Sequence, residues 1–245
     1  MRIALITDIH GNRIALEAVL EDLRAQAPDR TVCLGDVAAL GPEPVATIEI
    51  LRELECPVVM GNTDDALLDP AGVATEDTDD RLRRIVDIHH WSAAQLSDAE
   101  RDFVRSFVPT FEVPLEAGRK LLCCHGSPNS YDDLIVSSTP EEEVQALLAG
   151  FEADLFAGGH THLAMLRRMQ NTSFLNPGSV GIPYTGPMRT SKMTTRAEYV
   201  IVTVSDDGFA FDCRSVPFDM AAVHEAARRA DVPHLEWWLD WWTPA

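Results

Sequence analysis

With 245 residues, 46% of them hydrophobic, the chain is long enough to bury a sizeable core as one large domain or two small ones. Its 39 acidic residues outnumber 20 basic ones, and a net charge of −19 excludes a nucleic-acid groove built on protein charge alone. The same charge repels an anionic substrate unless bound cations reverse the potential locally.

Cys33, Cys56, Cys123, Cys124 and Cys213 form neither a metal-ligand spacing nor an even-numbered disulfide framework, which points to a reducing compartment. Met1-Arg2 leads straight into an apolar run without a signal peptide. No apolar run reaches the roughly 20 residues that a membrane span needs. A cytoplasmic protein without membrane contact is expected.

The first element is the run Ala4-Leu5-Ile6, a buried strand that closes in Thr7-Asp8-Ile9-His10-Gly11-Asn12. In an extended segment residues i and i+2 point to one side, so Asp8 and His10 are expected to face one point in space. Asn12 is suited to cap a helix over 13–27, where Leu16, Val19, Leu20 and Leu23 recur at helical spacing. Thr31–Leu34 reads as a second strand ending in Gly35-Asp36, and a second helix is expected over 43–54. Pro57–Met60 reads as a third strand ending in Gly61-Asn62-Thr63-Asp64. Strand and helix alternate at a spacing that implies an α/β fold with parallel strands.

Residues 66–108 break that rhythm. The acidic stretch 76–80 reads as a loop, followed by helices over 81–94 and 97–107, the second opened by a capping box of Ser97 and Glu100. The segment is expected to be a small helical insertion over one edge of the sheet. His89 and His90 lie on it and are read as exposed or capping residues, because adjacent helical residues do not share a face. Beyond it, 111–115 and 120–124 form a hairpin signal, and the second strand closes in His125. Thr139-Pro140 opens a further helix. Leu155-Phe156-Ala157 is a short strand ending in Gly158-Gly159-His160-Thr161-His162. Strands over 163–169, 173–176, 199–204 and 209–216 follow, then a helix over 219–230.

Each strand end thus carries oxygen or nitrogen ligands beside a glycine: Asp8 and His10, Asp36, Asn62, His125, then His160 and His162. Ligands bind at the carboxyl ends of strands in α/β sheets. Two aspartates, one asparagine and four histidines are too many for one metal and suit two that share a carboxylate.

These blocks, in this order, resemble those of the calcineurin-like metallophosphoesterase superfamily: Asp-x-His, Gly-Asp, Gly-Asn-His-(Asp/Glu), a lone His and Gly-His-x-His. The Asp8–Asn12 phrase, the segment Asn176–Gly181 and the helical insertion look closest to the YfcE-like bacterial phosphodiesterase group. The resemblance covers most of residues 1–216 and implies a four-layer αββα sandwich, here a single domain over 1–245 with a helical cap at about 66–108. It implies two divalent ions, by family preference Mn²⁺, with Fe or Zn²⁺ also admissible for a ligand set without thiolate. One ion would take Asp8, His10, Asp36 and His162, the other Asp36, Asn62, His125 and His160. A hydroxide between them would attack phosphorus in line, with His10 and Asn62 near the non-bridging oxygens.

Thr63 departs from the pattern, standing where the family has the histidine thought to contact the phosphoryl group or help the leaving group. A threonine hydroxyl cannot protonate an alkoxide, so diesters or activated esters are the expected substrates. The expected activity is therefore hydrolysis of a small phosphodiester. Phosphomonoester or nucleotide polyphosphate hydrolysis on the same metals is the second reading. A scaffold that keeps the fold without catalysis, as in the retromer subunit of the superfamily, is the third. Asn12, and Arg189 or Lys192 in the loop 186–195, are candidates to contact substrate. At the C-terminus Trp237, Trp238, Trp241 and Trp242 form one broad helical stripe. It either packs on the chain's own body or joins two copies as a homo-oligomer.

Overall fold

The computed structural model of the chain describes residues 1–72, 79–186 and 193–243. Two mixed sheets lie face to face with helices on their outer sides. The first has the strand order β2-β1-β8-β9, formed by β1 (Arg2–Ile6), β2 (Arg30–Cys33), β8 (Arg196–Ser205) and β9 (Gly208–Pro217). The second has the order β3-β4-β5-β7-β6, formed by β3 (Phe111–Pro114), β4 (Lys120–Cys123), β5 (Leu155–Ala157), β6 (Met165–Arg168) and β7 (Ser173–Asn176). β1 and β2 run parallel, as do β4 and β5, so their carboxyl ends open toward loops rather than hairpins.

Alternation along the strands builds the layers. In β1, Ile3 and Leu5 point at the second sheet, where they meet Val113, Leu121, Cys123, Leu155 and Leu175. Ala4 and Ile6 point the other way, into a core shared with α1 (Arg13–Gln26), α2 (Pro44–Leu54) and α7 (Met220–Arg229). In β4, Leu122 faces outward onto Phe156, Phe174 and the buried Val144 of α6 (Glu141–Leu147). Strands buried on both faces read as continuous apolar runs, which is why these segments carry no polar alternation. The result is the αββα sandwich implied by the family resemblance, with antiparallel pairs beside the parallel ones that the strand–helix spacing predicts.

The expected strand over 57–60 is reduced to single bridges, Val58 to Cys33 and Val59 to Val108. Directly after it the chain turns into α3 (Asn62–Leu68), a helix where the sequence predicts a strand-end loop. Its start is set by Asp64, whose carboxylate accepts the Gly61 N–H. The insertion contains α4 (Asp80–Gln95), capped by Asp79, and α5 (Asp98–Arg105), capped by the Ser97–Glu100 box. These helices pack on α2 and α3.

The tryptophan stripe lies on α8 (Leu235–Trp241), where Trp238 and Trp242 are completely buried in the chain's own core and stack with ring centres 4.4 Å apart. Trp238 also donates its indole N–H to the Leu40 carbonyl at 2.8 Å. The five cysteines are free, and no described helix is long and apolar enough to cross a membrane.

Candidate metal centre

The loops after β1, β2, β4 and β5 meet at one end of the sandwich and carry six of the seven residues singled out at the strand ends, and the start of α3 brings the seventh, Asn62. Asp8, His10, Asp36 and His162 each offer a ligand atom within 4.8 Å of the others, and so do Asp36, His125 and His160. Asp36 belongs to both groups. Asn62, at the first turn of α3, places its Oδ1 3.2 Å from His125 Nε2 and so joins the second group.

Asp8 and His10 converge for a reason other than the one expected. Both lie past the end of β1 with φ of 53° and 49°, so a left-handed loop, not the pleat of a strand, aims them together. Asp36, His160 and His162 are left-handed as well, at 55°, 64° and 57°. Each such non-glycine residue costs about 1–2 kcal/mol, and strain of this kind concentrates where a site requires a fixed geometry.

Surrounding polar groups hold that geometry. Asp64 accepts the backbone N–H groups of Asp36 and Val37 at 2.7 and 2.8 Å, and the Thr63 N–H binds Asp36 Oδ1 at 2.9 Å. Asn176 donates to Gly159 O and Thr161 Oγ1, pinning the loop that bears His160 and His162. Ser179 donates its hydroxyl to the Asp8 carbonyl at 2.8 Å. Thus the Asn176–Gly181 segment is a clamp on both halves of the site. Gly61 and Gly159 permit the close approach: a Cβ would sit 2.2 Å from Asp36 Oδ1 at the first and 2.6 Å from Asp8 Oδ2 at the second.

The ring tautomers follow from the same contacts. His10, His125 and His162 each point Nδ1 at a backbone carbonyl, those of Ala39, Leu34 and Ile182 at 3.2, 2.8 and 2.8 Å. A carbonyl only accepts, so Nδ1 carries the proton and each neutral ring presents a lone pair on Nε2. Those lone pairs face other acceptors: His10 Nε2 faces His162 Nε2 at 3.1 Å, and His125 Nε2 faces Asn62 Oδ1. Acceptors aimed at acceptors require a cation between them, and imidazoles anchored through Nδ1 are the usual form of a histidine ligand. The donor set therefore fits divalent metal ions.

The titration behaviour agrees. Burial alone would raise Asp36 and Asp8, yet the histidines around them hold both carboxyls down, Asp36 well below the usual range. Burial likewise disfavours a charge on His125, but the Asp36 carboxylate overrides it and raises its pKa to about 10, so without a metal ion a proton fills the Nε2 position that the ion would take. Two carboxylates this buried stay ionised only with positive charge beside them.

The family model for the calcineurin-like phosphoesterase superfamily domain matches residues 1–207. The chain belongs to this superfamily. An uncharacterized protein of Methanocaldococcus jannaschii is 26% identical over 96% of this chain and 94% of its own length. The crystal structure of a metallophosphoesterase from Sphaerobacter thermophilus aligns with a TM-score of 0.72 at 25% identity, covering 99% of each chain. A hypothetical protein of Pyrococcus horikoshii shares the fold with a TM-score of 0.80 at 18% identity, over 100% of this chain and 99% of that one.

Within this phosphoesterase fold a cavity of about 180 Å³ opens over the site, lined by His10, Asp36, Asn62, Thr63, His160 and His162. Its outer wall is Arg81, Ile85 and His89 of α4 with Tyr184 and Trp241. The sequence reading gives His89 and Trp241 other roles and passes over Arg81, Ile85 and Tyr184, although Arg81, Ile85 and His89 recur every four residues, as one face of a helix must. The histidine pair splits: His90 is exposed and donates to Pro70 O at 2.8 Å, whereas His89 is buried at the site. Asn12 serves as the cap of α1, its Oδ1 accepting from Ala15 N and its amide donating to Gly181 O, and its side chain is buried. Arg189 and Lys192 lie outside the described residues.

Proposed function

We propose that this chain hydrolyses small phosphodiesters with two divalent cations. The observation that carries the reading is the set of acceptors converging on Asp36, with His10 opposed to His162 and His125 opposed to Asn62. Asp8, His10, Asp36 and His162 would hold one cation, and Asp36, Asn62, His125 and His160 the other. Oxygen and nitrogen donors without thiolate suit Mn²⁺, Fe or Zn²⁺. When bound, such a pair supplies an acidified water and positive charge against the phosphate.

The rest falls to the chain's own groups. Asp36 spans both positions and is fixed by the Thr63 N–H, so Thr63 acts through its backbone rather than as an acid. His10 has Nδ1 committed to Ala39 and Nε2 turned toward His162, so its work is ligation. Asn62 turns Oδ1 to His125 and keeps its NH₂ for a non-bridging phosphoryl oxygen, the position where negative charge grows during displacement. A chain of net charge −19 needs that local positive charge before an anionic ester can approach.

A metal-reconstituted screen of phosphodiesters, phosphomonoesters and nucleotides tests the proposal. Turnover should require Mn²⁺ or another divalent ion and be fastest on diesters with good leaving groups. Asp36→Asn should lose more than the roughly 10–100-fold typical of an outer-shell partner, because it weakens both positions at once. Full activity in Asp36→Asn, or equal turnover of unactivated monoesters, would overturn the assignment.

A further inference from the structure

The superfamily motif has a histidine where this chain has Thr63, and the Thr63 hydroxyl is buried in the cavity without a hydrogen-bond partner among the described residues. The vacated role has a second claimant. His89 enters from α4, an element outside the strand-end motifs, and lines the same cavity as Asp36, Asn62 and Thr63. It also borders the adjoining cavity of about 600 Å³ together with Asn62, Asp65 and Tyr131. The ring therefore stands where two cavities meet at Asn62.

Only 7% of His89 is exposed, and its Nδ1 is fully enclosed without a partner among the described residues. An imidazole used only as packing would be replaced by an apolar ring at no loss. Arg81 and Ile85, one and two turns before it, form the same wall, so the face of α4 that carries His89 is the one aimed at the metal loops.

We infer that His89 is a substrate-contacting residue, donating an N–H hydrogen bond to the leaving-group oxygen in place of the histidine that Thr63 displaces. With Nδ1 enclosed, the opposite edge of the ring meets the cavity, and the single proton of the neutral imidazole sits on Nε2. Burial supports the neutral form, lowering the pKa to about 4. In the step itself a water-derived oxygen bonds to phosphorus and the bond to the leaving oxygen breaks. The electron pair stays on that oxygen, where the Nε2–H stabilises it, and solvent then protonates it while the attacking water's proton passes to bulk. His89 neither gains nor loses a proton over the cycle.

The inference rests on the phosphodiesterase reading, and one experiment separates the two. The metal-loaded full chain is assayed on diesters whose leaving groups run from p-nitrophenol to simple alcohols, as wild type, His89→Phe and His89→Gln. Loss of one oriented donor typically costs about 10²–10³-fold in kcat, so His89→Phe should lose that much on alkyl leaving groups and under about 10-fold on p-nitrophenolate. KM and metal content should hold. His89→Gln, whose Nε2 can occupy the donor position, should keep most of the rate. Adding Thr63→His to His89→Phe should restore alkyl-ester turnover. An active wild type with His89→Phe unchanged, slowed equally on every leaving group, or matched by His89→Gln overturns the role of His89 alone. A wild type inert on all esters with metals bound overturns the phosphodiesterase reading and this inference together.

Discussion

His10 Nε2 and His162 Nε2 face each other at 3.1 Å while both rings are anchored to backbone carbonyls through Nδ1. Two lone pairs at that separation repel, and only a proton or a metal ion between them makes the arrangement favourable. Protons and metal ions thus compete for the same atoms, so cation binding should release protons and tighten as pH rises. Titration of Mn²⁺ into metal-free protein, in buffers of different ionisation enthalpy, measures both. Two ions per chain with net proton release is the expected result. A single ion, or none displaced by protons, contradicts the shared role of Asp36.

Most of the site was legible in the sequence because its ligands are local punctuation. Asp8, Asp36, His125 and His160 each follow an apolar run that must be a strand, and the strand ends must converge once both sheets stack. Most of what escaped depends on contacts between segments distant in the chain. The helix α3 starts at Asn62 on a short-range signal, Asp64 accepting the Gly61 N–H three residues back, whereas the reach of the same carboxylate to Asp36 and Val37 is tertiary and has no local signature. The burial of His89 follows from which face of α4 turns toward the site, and periodicity alone does not say which face that is. Trp241 joins the cavity wall through a hydrogen bond to Tyr184, 57 residues away. The pleat argument for Asp8 and His10 predicted convergence but assumed extended backbone, and the left-handed loop replaces it.

Acid stability turns on a different carboxylate, far from the metal loops. Asp22 of α1 accepts from Arg214 Nη2 at 2.9 Å and Nε at 3.1 Å and from the Tyr199 hydroxyl at 2.6 Å, tying the helix to β8 and β9. The Arg214 hydrogen bonds hold its pKa below the ordinary 3.8. A depressed carboxyl contributes stability that is fully present above the unfolded value and is lost as pH falls through the folded one. Wild type should therefore lose more stability than Asp22→Asn between about pH 5 and 3, with the two converging at the acid end. Urea unfolding at several pH values measures the difference. Parallel curves would show that the cluster carries no linked proton.

Two tryptophans three residues apart on α8, Trp238 and Trp241, have separable jobs, and the separation is measurable. Trp238 is fully buried, stacked on Trp242 and bonded to Leu40 O in the loop that follows Asp36, so it joins the C-terminal helix to the frame of the site. Truncating a buried tryptophan to alanine costs about 3–5 kcal/mol. For a chain of this size each kcal/mol lowers Tm by about 2–4 °C. Trp241 is only half-buried; its indole N–H reaches the Tyr184 hydroxyl at 3.0 Å, Arg81 lies 5.8 Å over its ring, and its side chain walls the cavity. Trp241→Ala should therefore cost less stability and act on substrate instead, raising KM for bulky diesters more than for small ones. Trp238→Ala should do the reverse, a large drop in Tm with KM nearly unchanged in the fraction that remains folded. If Trp241→Ala lowered Tm as far as Trp238→Ala and left KM alone, the cavity wall would be packing and nothing more.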